Sequence, residues 1–588
     1  MSTPAPAPAI HIPPNHTLHL ESTTHILLKP TDAFLNPAQE FNRDISVAVI
    51  RTWSEVYAEE KRERWAGKRK RREEKGGVGR KRRRVGEVDL PGAAEAVEDA
   101  EPAAEEEEDP QPEQDTPTSS QPANTYRPHR FTLLEAFSAT GLRAIRYAKE
   151  IPLLRYVVAN DLSAAAVESI RRNVEINGLG AEEPALGATG GEGEEAGEGE
   201  GVNVGEESAE GEKPTPAPNG TAAPRASLVR VQQGDARLAL YAHTTLQNRY
   251  DAVDLDPYGT AAPFLDAAVQ AISDGGLLCV TCTDMGVLAS TNYSEKCFAN
   301  YGGVGVKAEF CHEAALRLVL HAISTSAARY GRTITPLLSL SIDFYVRIFV
   351  RIRTSPLEVK HAASRTGTAY VCSGCQASHV QPLGRHLPDA RGSGFKLAQG
   401  PPQGMGEHCP ECGGRYHLAG PMWIGPLHER AFVQRVLAHV RTEGEGYGTQ
   451  SRMRGMLTVA AEELEVPFYF TPGALAGLFH CVCPSLIEVV SALLNAGHEC
   501  TRSHACAGSI KTSASRAEVY DIFRTWIRGH PVNMGKVKEG SPTSKLLAKE
   551  PKKEADFTPH PDFHAKFEGI KLVRYTAEKW APGTRSKM

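Results

Sequence analysis

The segment best equipped for chemistry is Asp254-Leu255-Asp256-Pro257-Tyr258-Gly259. An exocyclic amine on a nucleobase is a poor nucleophile, because its lone pair is delocalised into the ring. A carboxylate that accepts the amine hydrogens turns that lone pair toward an electrophilic methyl group. Proline shapes the loop so that a neighbouring carbonyl shares the task, and an aromatic ring beside it stacks on an extruded base. Asp256, Pro257 and Tyr258 supply these parts in order. D-P-Y-G is also a good turn sequence, so its weight as a catalytic segment depends on what lies upstream.

Upstream runs an alternation of short apolar strands and helical patterns. Thr132 to Phe137, Tyr156 to Ala159, Leu228 to Gln232, Ala252 to Leu255 and Gly276 to Thr281 read as strands. Gly141 to Glu150 reads as a helix, as does the segment capped by Ser163, whose apolar face is Val167, Ile170 and Val174. Such alternation predicts a mostly parallel sheet covered on both faces, with ligands beyond the carboxyl ends of the strands. Two acidic residues fall at such ends. Asp161 lies 20 residues after Gly141, near the spacing at which a carboxylate reaches a ribose hydroxyl. Asp235, in QQGDAR, suits an adenine amine. Ser138-Ala139-Thr140-Gly141 makes a small-residue turn into a helix N-terminus, where backbone approaches a ligand closely. A tight connection explains any one of these pieces; together, in this order, they favour a nucleoside cofactor.

From about residue 355 the character changes. Cys372-x-x-Cys375 and Cys409-x-x-Cys412, separated by 33 residues, read as four thiolate ligands for a structural zinc ion in a zinc ribbon. The other eight of the twelve cysteines lack that spacing and read as buried small apolar residues. Helical patterns near Leu475 to Phe479, Pro484 to Ala496 and Arg516 to Arg528 flank the basic stretch Thr501 to Thr512. This predicts a smaller α+β domain with a winged-helix-like part. Arg502, His504 and Lys511 are its candidates for contacts to nucleic-acid phosphates.

The chain has 588 residues and a net charge of -5, with the two signs in separate blocks. Lys61 to Arg84 holds 14 basic residues against 3 Glu, and Glu95 to Asp115 has 11 acidic residues. Residues 180–226 are rich in Gly, Glu, Ala and Pro. All three lack the large apolar side chains that offset ordering entropy, and are expected to be disordered. The expected organisation is a disordered N-terminus at 1–20, an α/β nucleoside-cofactor domain at 21–354 with disordered insertions at about 61–125 and 180–226, and a zinc-ribbon and nucleic-acid-binding domain at 355–580. No apolar run is long enough to span a bilayer. Neither a secretory nor a mitochondrial leader is evident at the N-terminus, so a reducing compartment is expected. The blocks Lys68 to Arg72 and Arg80 to Arg84 have the form of a bipartite nuclear-import signal, which would engage an import receptor and place the protein in the nucleus; they also suit sequence-blind RNA binding.

The chain resembles the tRNA (guanine-26) N2-dimethyltransferases. The likeness is carried by NPAQEFNRDISVAVIR (Asn36 to Arg51), LEAFSATGLRAIRYAKE (Leu134 to Glu150), VVANDLS, GDAR and DLDPYGTAAPFLDAA (Asp254 to Ala268). CTDMGVL, FYVRIFVR, GPMWIGPLH and RSHACAGSIKT (Arg502 to Thr512) extend it over most of the ordered sequence. The resemblance implies a class I, Rossmann-like methyltransferase fold, S-adenosylmethionine as donor, and N2-methyl- then N2,N2-dimethylguanine as product. It implies that Arg43, Arg143, Asp161, Asp235 and Ala236 contact the cofactor, that Asp256 holds the guanine amine, and that Phe34 walls the base pocket. Two other readings compete: an exocyclic-amine methyltransferase acting on DNA, and a zinc-ribbon RNA-binding protein in which methyl transfer is secondary.

Overall fold

The computed structural model describes residues 10–30, 35–78, 126–180, 227–387, 394–398, 400, 402 and 405–567. Phe34, the acidic run Glu95 to Asp115, nearly all of the Gly/Glu-rich segment and the second basic block, Arg80 to Arg84, lie outside them.

Apolar strands separated by helices close into one seven-stranded sheet. An N-terminal hairpin of β1 (Thr17–Glu21) and β2 (Thr24–Leu28) precedes a long helix, α1 (Glu40–Val78). The sheet strands are β3 (Phe131–Glu135), β4 (Leu154–Asp161), β5 (Val229–Gln233), β6 (Tyr250–Leu255), β7 (Ile272–Cys282), β8 (Arg332–Ile342) and β9 (Tyr345–Thr354). Their spatial order is β5-β4-β3-β6-β7-β9-β8. Neighbours from β5 to β7 pair in parallel, and β9 runs antiparallel to both β7 and β8. The order reverses about β3, with β4 on one side and β6 on the other, which opens a crevice at their carboxyl ends. This is the mixed α/β, Rossmann-like core expected from the sequence.

Local chemistry sets the helices that line this crevice. α2 (Leu142–Glu150) starts at Gly141, whose φ is 79°; a Cβ there would sit 3.1 Å from Ile170 Cγ2. Only glycine permits both that backbone and that approach of α3 (Ala164–Ile176). Ser163 caps α3 by accepting from Ala166 N–H, as its position predicts. Asp235 caps α4 (Ala236–Tyr241) by accepting from Arg237 N–H. After β6 and β7 come α5 (Ala262–Ala271), α6 (Met285–Leu288), α7 (Ser294–Tyr301) and the buried α8 (Cys311–Ala328).

Beyond a short α9 (Pro356–Val359), β10 (Thr366–Cys372) pairs with β11 (Ser378–Pro382) and β14 (Tyr416–Trp423), while β12 (Gly384–Leu387) pairs with β13 (Gly394–Leu397). Helices α10 (Arg430–Glu443) and α11 (Gln450–Glu462) follow. Then come α12 (Pro472–Phe479), α13 (Leu486–Asn495), a hairpin of β15 (Cys500–Arg502) and β16 (Ile510–Thr512), α14 (Arg516–Gly529), α15 (Pro542–Leu547) and α16 (Asp562–Phe567).

Three sequence expectations change. β1 begins at Thr17, inside the stretch expected to be disordered. The first part of the basic block is helical, because α1 runs on through Val78. Its buried half carries Phe41, Ile45, Trp53 and Tyr57, and Lys, Arg and Glu propagate a helix already nucleated there. The border drawn at 354/355 is crossed by two cores: Phe432, Val436 and Leu457 pack with Ile45 and Val49 of α1, while Met422 and Trp423 pack with α8. A third core joins Leu475, Phe479, Val489 and Phe523 to the four paired cysteines. Among the remaining cysteines, Cys279, Cys282, Cys297 and Cys500 are buried as expected, but Cys483 is exposed.

Candidate active site

Along the carboxyl edge of β3, β4, β5 and β6 the structure gathers most of the residues singled out from sequence. Asp161 ends β4, and its two carboxylate oxygens accept from Ala139 N–H and Ser163 N–H, each at 2.9 Å. Ala139 has φ 49°, a left-handed conformation rarely adopted by a residue with a Cβ, so strain is held in the turn itself. Gly234 N–H donates to Asp161 O at 3.0 Å, joining the Asp161 and Asp235 loops. Asp235 is held near pKa 2 by hydrogen bonds from Arg237, and Ala236 is buried beneath it. The small-residue turn, the strained backbone and two carboxylate side chains on adjacent strand ends fit a nucleoside.

Next to this crevice lies a buried charge network. Arg143 on α2 donates to Asp256, the residue following β6, and to Ser46 Oγ at 3.2 Å. The same guanidinium lies 3.9 Å from both Glu135 and Asp254. Asp254 is fully buried and accepts from Arg347 at 2.8 Å and from the Tyr147 hydroxyl at 2.6 Å. Burial opposes its ionisation, but Arg347 and Arg143 overcome that and hold its carboxyl below the usual range. Glu135 has no such close pair. Burial pushes it up to about 8, only partly offset by Arg143 and the Ser138 hydroxyl, so at neutral pH it is largely protonated. Two arginines, Arg143 and Arg347, thus face the Asp254 and Asp256 carboxylates inside a low dielectric.

Asp256 itself is partly exposed, with Pro257 buried behind it. Tyr258 is 90% exposed at the loop tip, a ring with a free face. Arg43 is placed less simply. Its guanidinium is buried and paired with Glu21 of β1, with a 2.6 Å contact from Nε.

Ser46, Tyr147, Glu135 and Arg347 belong to this network and were not singled out from sequence, and Asp254 was singled out only as part of the D-L-D-P-Y-G segment. A signal existed for Arg347: it is a charged residue inside the apolar strand FYVRIFVR, and a buried charge requires a partner.

Two of the three candidate phosphate-binding residues are buried. Lys511 is 1% exposed and lies 3.0 Å from Glu463 and 3.2 Å from Glu313. His504 is buried, with Nδ1 2.6 Å from Glu463. Arg502 is half-buried over the Phe567 ring. Basic residues close in sequence are neutralised here by carboxylates distant in sequence. His428, Glu463 and His504 together have the spacing of a metal site. However, His428 Nδ1 accepts from Ser339 N–H and His504 Nε2 accepts from Ser341 N–H, both at 3.2 Å. His504 Nδ1 is thereby left to donate to Glu463, while His428 Nε2 stands 3.6 Å from the same carboxylate, beyond hydrogen-bond reach. These rings occupy the outer edge of β8.

Cys372, Cys375, Cys409 and Cys412 do converge: their four sulfurs lie within 4.8 Å of one another and are buried. The sulfur separations of 3.3 Å for Cys372 to Cys412 and 3.6 Å for Cys375 to Cys409 are close to the roughly 3.8 Å edge of a tetrahedral zinc–thiolate site. Gly374 N–H donates to Cys372 Sγ, and a Cβ on Gly414 would fall 2.9 Å from that sulfur. The donor set fits a structural zinc ion.

The sequence model of the N2,N2-dimethylguanosine tRNA methyltransferase family matches residues 15–188 and 218–524. The chain belongs to that family. The tRNA (guanine(26)-N(2))-dimethyltransferase of Schizosaccharomyces pombe is 38% identical over 564 residues, covering 95% of this chain and 90% of that protein. The Homo sapiens tRNA (guanine(26)-N(2))-dimethyltransferase is 38% identical over 566 residues, covering 95% and 75%. Among solved structures, Trm1 from Pyrococcus horikoshii with S-adenosyl-L-methionine superposes with a TM-score of 0.55 at 21% identity, over 85% of this chain and 97% of that one. As a likeness of fold, it places this N2,N2-dimethylguanosine tRNA methyltransferase family member in the same architecture.

Proposed function

We propose that the protein methylates the N2 amine of guanine 26 in tRNA, first to N2-methyl- and then to N2,N2-dimethylguanine, at the carboxyl edge of β3 to β6. The chain is a methyltransferase acting on tRNA by its family. The observation that carries the assignment of the chemistry is the placement of Asp256. It is a partly exposed carboxylate directly after a buried parallel strand, one side of it gripped by Arg143.

S-adenosylmethionine, when bound, supplies the electrophilic methyl on a sulfonium. Asp161 would hold its ribose hydroxyls, with Asp235 and Ala236 at its adenine. Arg143 and Arg43 would face its carboxylate, and Phe34 would wall the base. Asp256 accepts the amine hydrogens and stabilises the positive charge that grows on N2; Pro257 fixes the loop and Tyr258 stacks on the extruded base. Most of the acceleration then comes from positioning and electrostatics. Incubating the protein with labelled donor and either tRNA or DNA tests the substrate, and nucleoside mass spectrometry locates the product. Label in DNA and none in tRNA would overturn this reading.

Two finer assignments belong to the same proposal. The four cysteines hold one structural zinc in a ribbon, supported by their convergence at the end of β10. The helix pair α12 and α13, followed by the β15-β16 hairpin, supports a winged-helix-like unit that presents tRNA. No described helix is long and apolar enough to cross a membrane. Import into the nucleus through the basic block, of which Lys68 to Arg71 are exposed on α1, is the localisation we propose.

A further inference from the structure

The loop that follows Asp256 is fastened to the loop that follows β7. Gly259 N–H donates to Thr283 Oγ1, and Thr283 N–H returns a hydrogen bond to Gly259 O, both at 2.8 Å. Gly259 has φ 86°, a conformation that favours glycine, so the fastening point is itself sequence-encoded. One residue on, Thr260 Oγ1 lies 2.7 Å from the Tyr301 hydroxyl, which lies 2.8 and 3.0 Å from the two oxygens of Asp284. Tyr301 is buried, so its hydroxyl must be satisfied within the protein. An ionised carboxylate only accepts. The single phenolic proton therefore goes to Asp284, and the phenolic oxygen accepts from Thr260. With the Asp284 carboxyl ionised, which burial opposes, the chain runs from Thr260 to Tyr301 to Asp284. Thr260 Oγ1 in turn accepts from Ala262 N–H at the first residue of α5, at 3.1 Å.

These bonds leave Asp256, Pro257 and Tyr258 as a short span between the end of β6 and an anchored Gly259-Thr260. We propose that Tyr301 and Asp284 are positioning residues for methyl transfer: they hold the loop so that the Asp256 carboxylate and the Tyr258 ring keep one placement relative to the base. The inference rests on the reading of Asp256 given above. Neither residue needs to touch guanine, cofactor or the transferred methyl. Their contribution is geometric, and a displacement of about 1 Å at a reacting group costs on the order of 100-fold in rate.

The test uses the full chain, transcribed tRNA and single-turnover methylation with saturating donor. Tyr301→Phe removes only the bridging hydroxyl. Asp284→Ala removes the terminal acceptor, and Asp284→Asn keeps an acceptor oxygen. Thr260→Val, at a half-exposed position, deletes the outer donor with the least disturbance to packing. Tyr301→Phe, Asp284→Ala and Thr260→Val are each expected to slow methyl transfer by about tenfold or more. Dissociation constants for tRNA and for S-adenosylhomocysteine should stay within about twofold, since no binding group is removed. Asp284→Asn is expected to recover most of the rate. Wild-type rates in Tyr301→Phe and Thr260→Val would overturn the proposal, as would losses of tRNA or cofactor affinity that match the loss of rate. Asp256→Ala in the same assay separates the two claims: if it is inactive while Tyr301→Phe is normal, only the positioning role fails, and if it is active, the reading of Asp256 fails.

Discussion

Arg143 on α2 donates to the Asp256 carboxylate, and the same guanidinium faces Glu135 and Asp254 at 3.9 Å. One buried cation thus serves the candidate catalytic carboxylate and the floor of the cofactor crevice. Replacing it with methionine, of similar length and no charge, should leave Asp254 and Asp256 undercompensated. Arg143→Met is expected to lower stability by about 3–5 kcal/mol, the usual cost of breaking a buried pair from one side, and to weaken S-adenosylhomocysteine binding at least about tenfold through the lost carboxylate partner. Chemical denaturation and calorimetric titration read the two effects.

Glu135 gives a pH signature. Its folded pKa, pushed up to about 8 by burial, lies above the ordinary glutamate value of 4.5. Between those values the folded state retains a proton that the unfolded chain has lost. Its contribution is therefore present below about pH 4.5 and is lost as pH rises toward 8. Glu135→Gln keeps the size and the Ser138 hydrogen bond while removing that titration. The variant is expected to be more heat-stable than the parent at pH 8 by about a few degrees, with the difference shrinking as pH falls. Melting curves from pH 5 to 8.5 check the sign.

Lys511 and His504 are expected to act on stability and not on RNA electrostatics. Lys511 neutralises Glu463 and Glu313 in the interior, so Lys511→Met should destabilise by about 3–5 kcal/mol. The slope of tRNA affinity against salt concentration should not change, whereas a phosphate contact would reduce it by roughly one per lost charge. Filter binding across a salt series, at a temperature where the variant is folded, distinguishes them.

The cysteine convergence predicts about one zinc per chain by metal analysis, from four thiolates filling a tetrahedral shell. Cys409→Ser should lower both zinc content and melting temperature. Active, freshly purified protein without zinc would contradict this.

Much of the site was legible in the sequence, because its signals are local. The apolar strand ending in Asp161, the one just before Asp256, the Ser163 cap and the doubled Cys-x-x-Cys follow from neighbours a few residues apart. Phosphate binding by Lys511 was misread because its partners, Glu463 and Glu313, are close only after folding. The basic block was misread for a related reason: composition argues against order, yet α1 carries its helix outward from a buried half anchored by Trp53 and Tyr57. The resemblance marks Arg143 as a cofactor contact, but its grip on Asp256 joins α2 to the loop after β6, 113 residues further along the chain, which no spacing reveals.

The most direct test of the account is Asp256→Ala assayed for methylation of tRNA at saturating donor, with S-adenosylhomocysteine binding measured on the same preparation. The expected result is a rate reduced on the order of 100-fold or more, with cofactor-product affinity within about threefold of the parent, since the lost group holds the amine and not the nucleoside. Near-normal turnover in the folded variant would contradict the central claim.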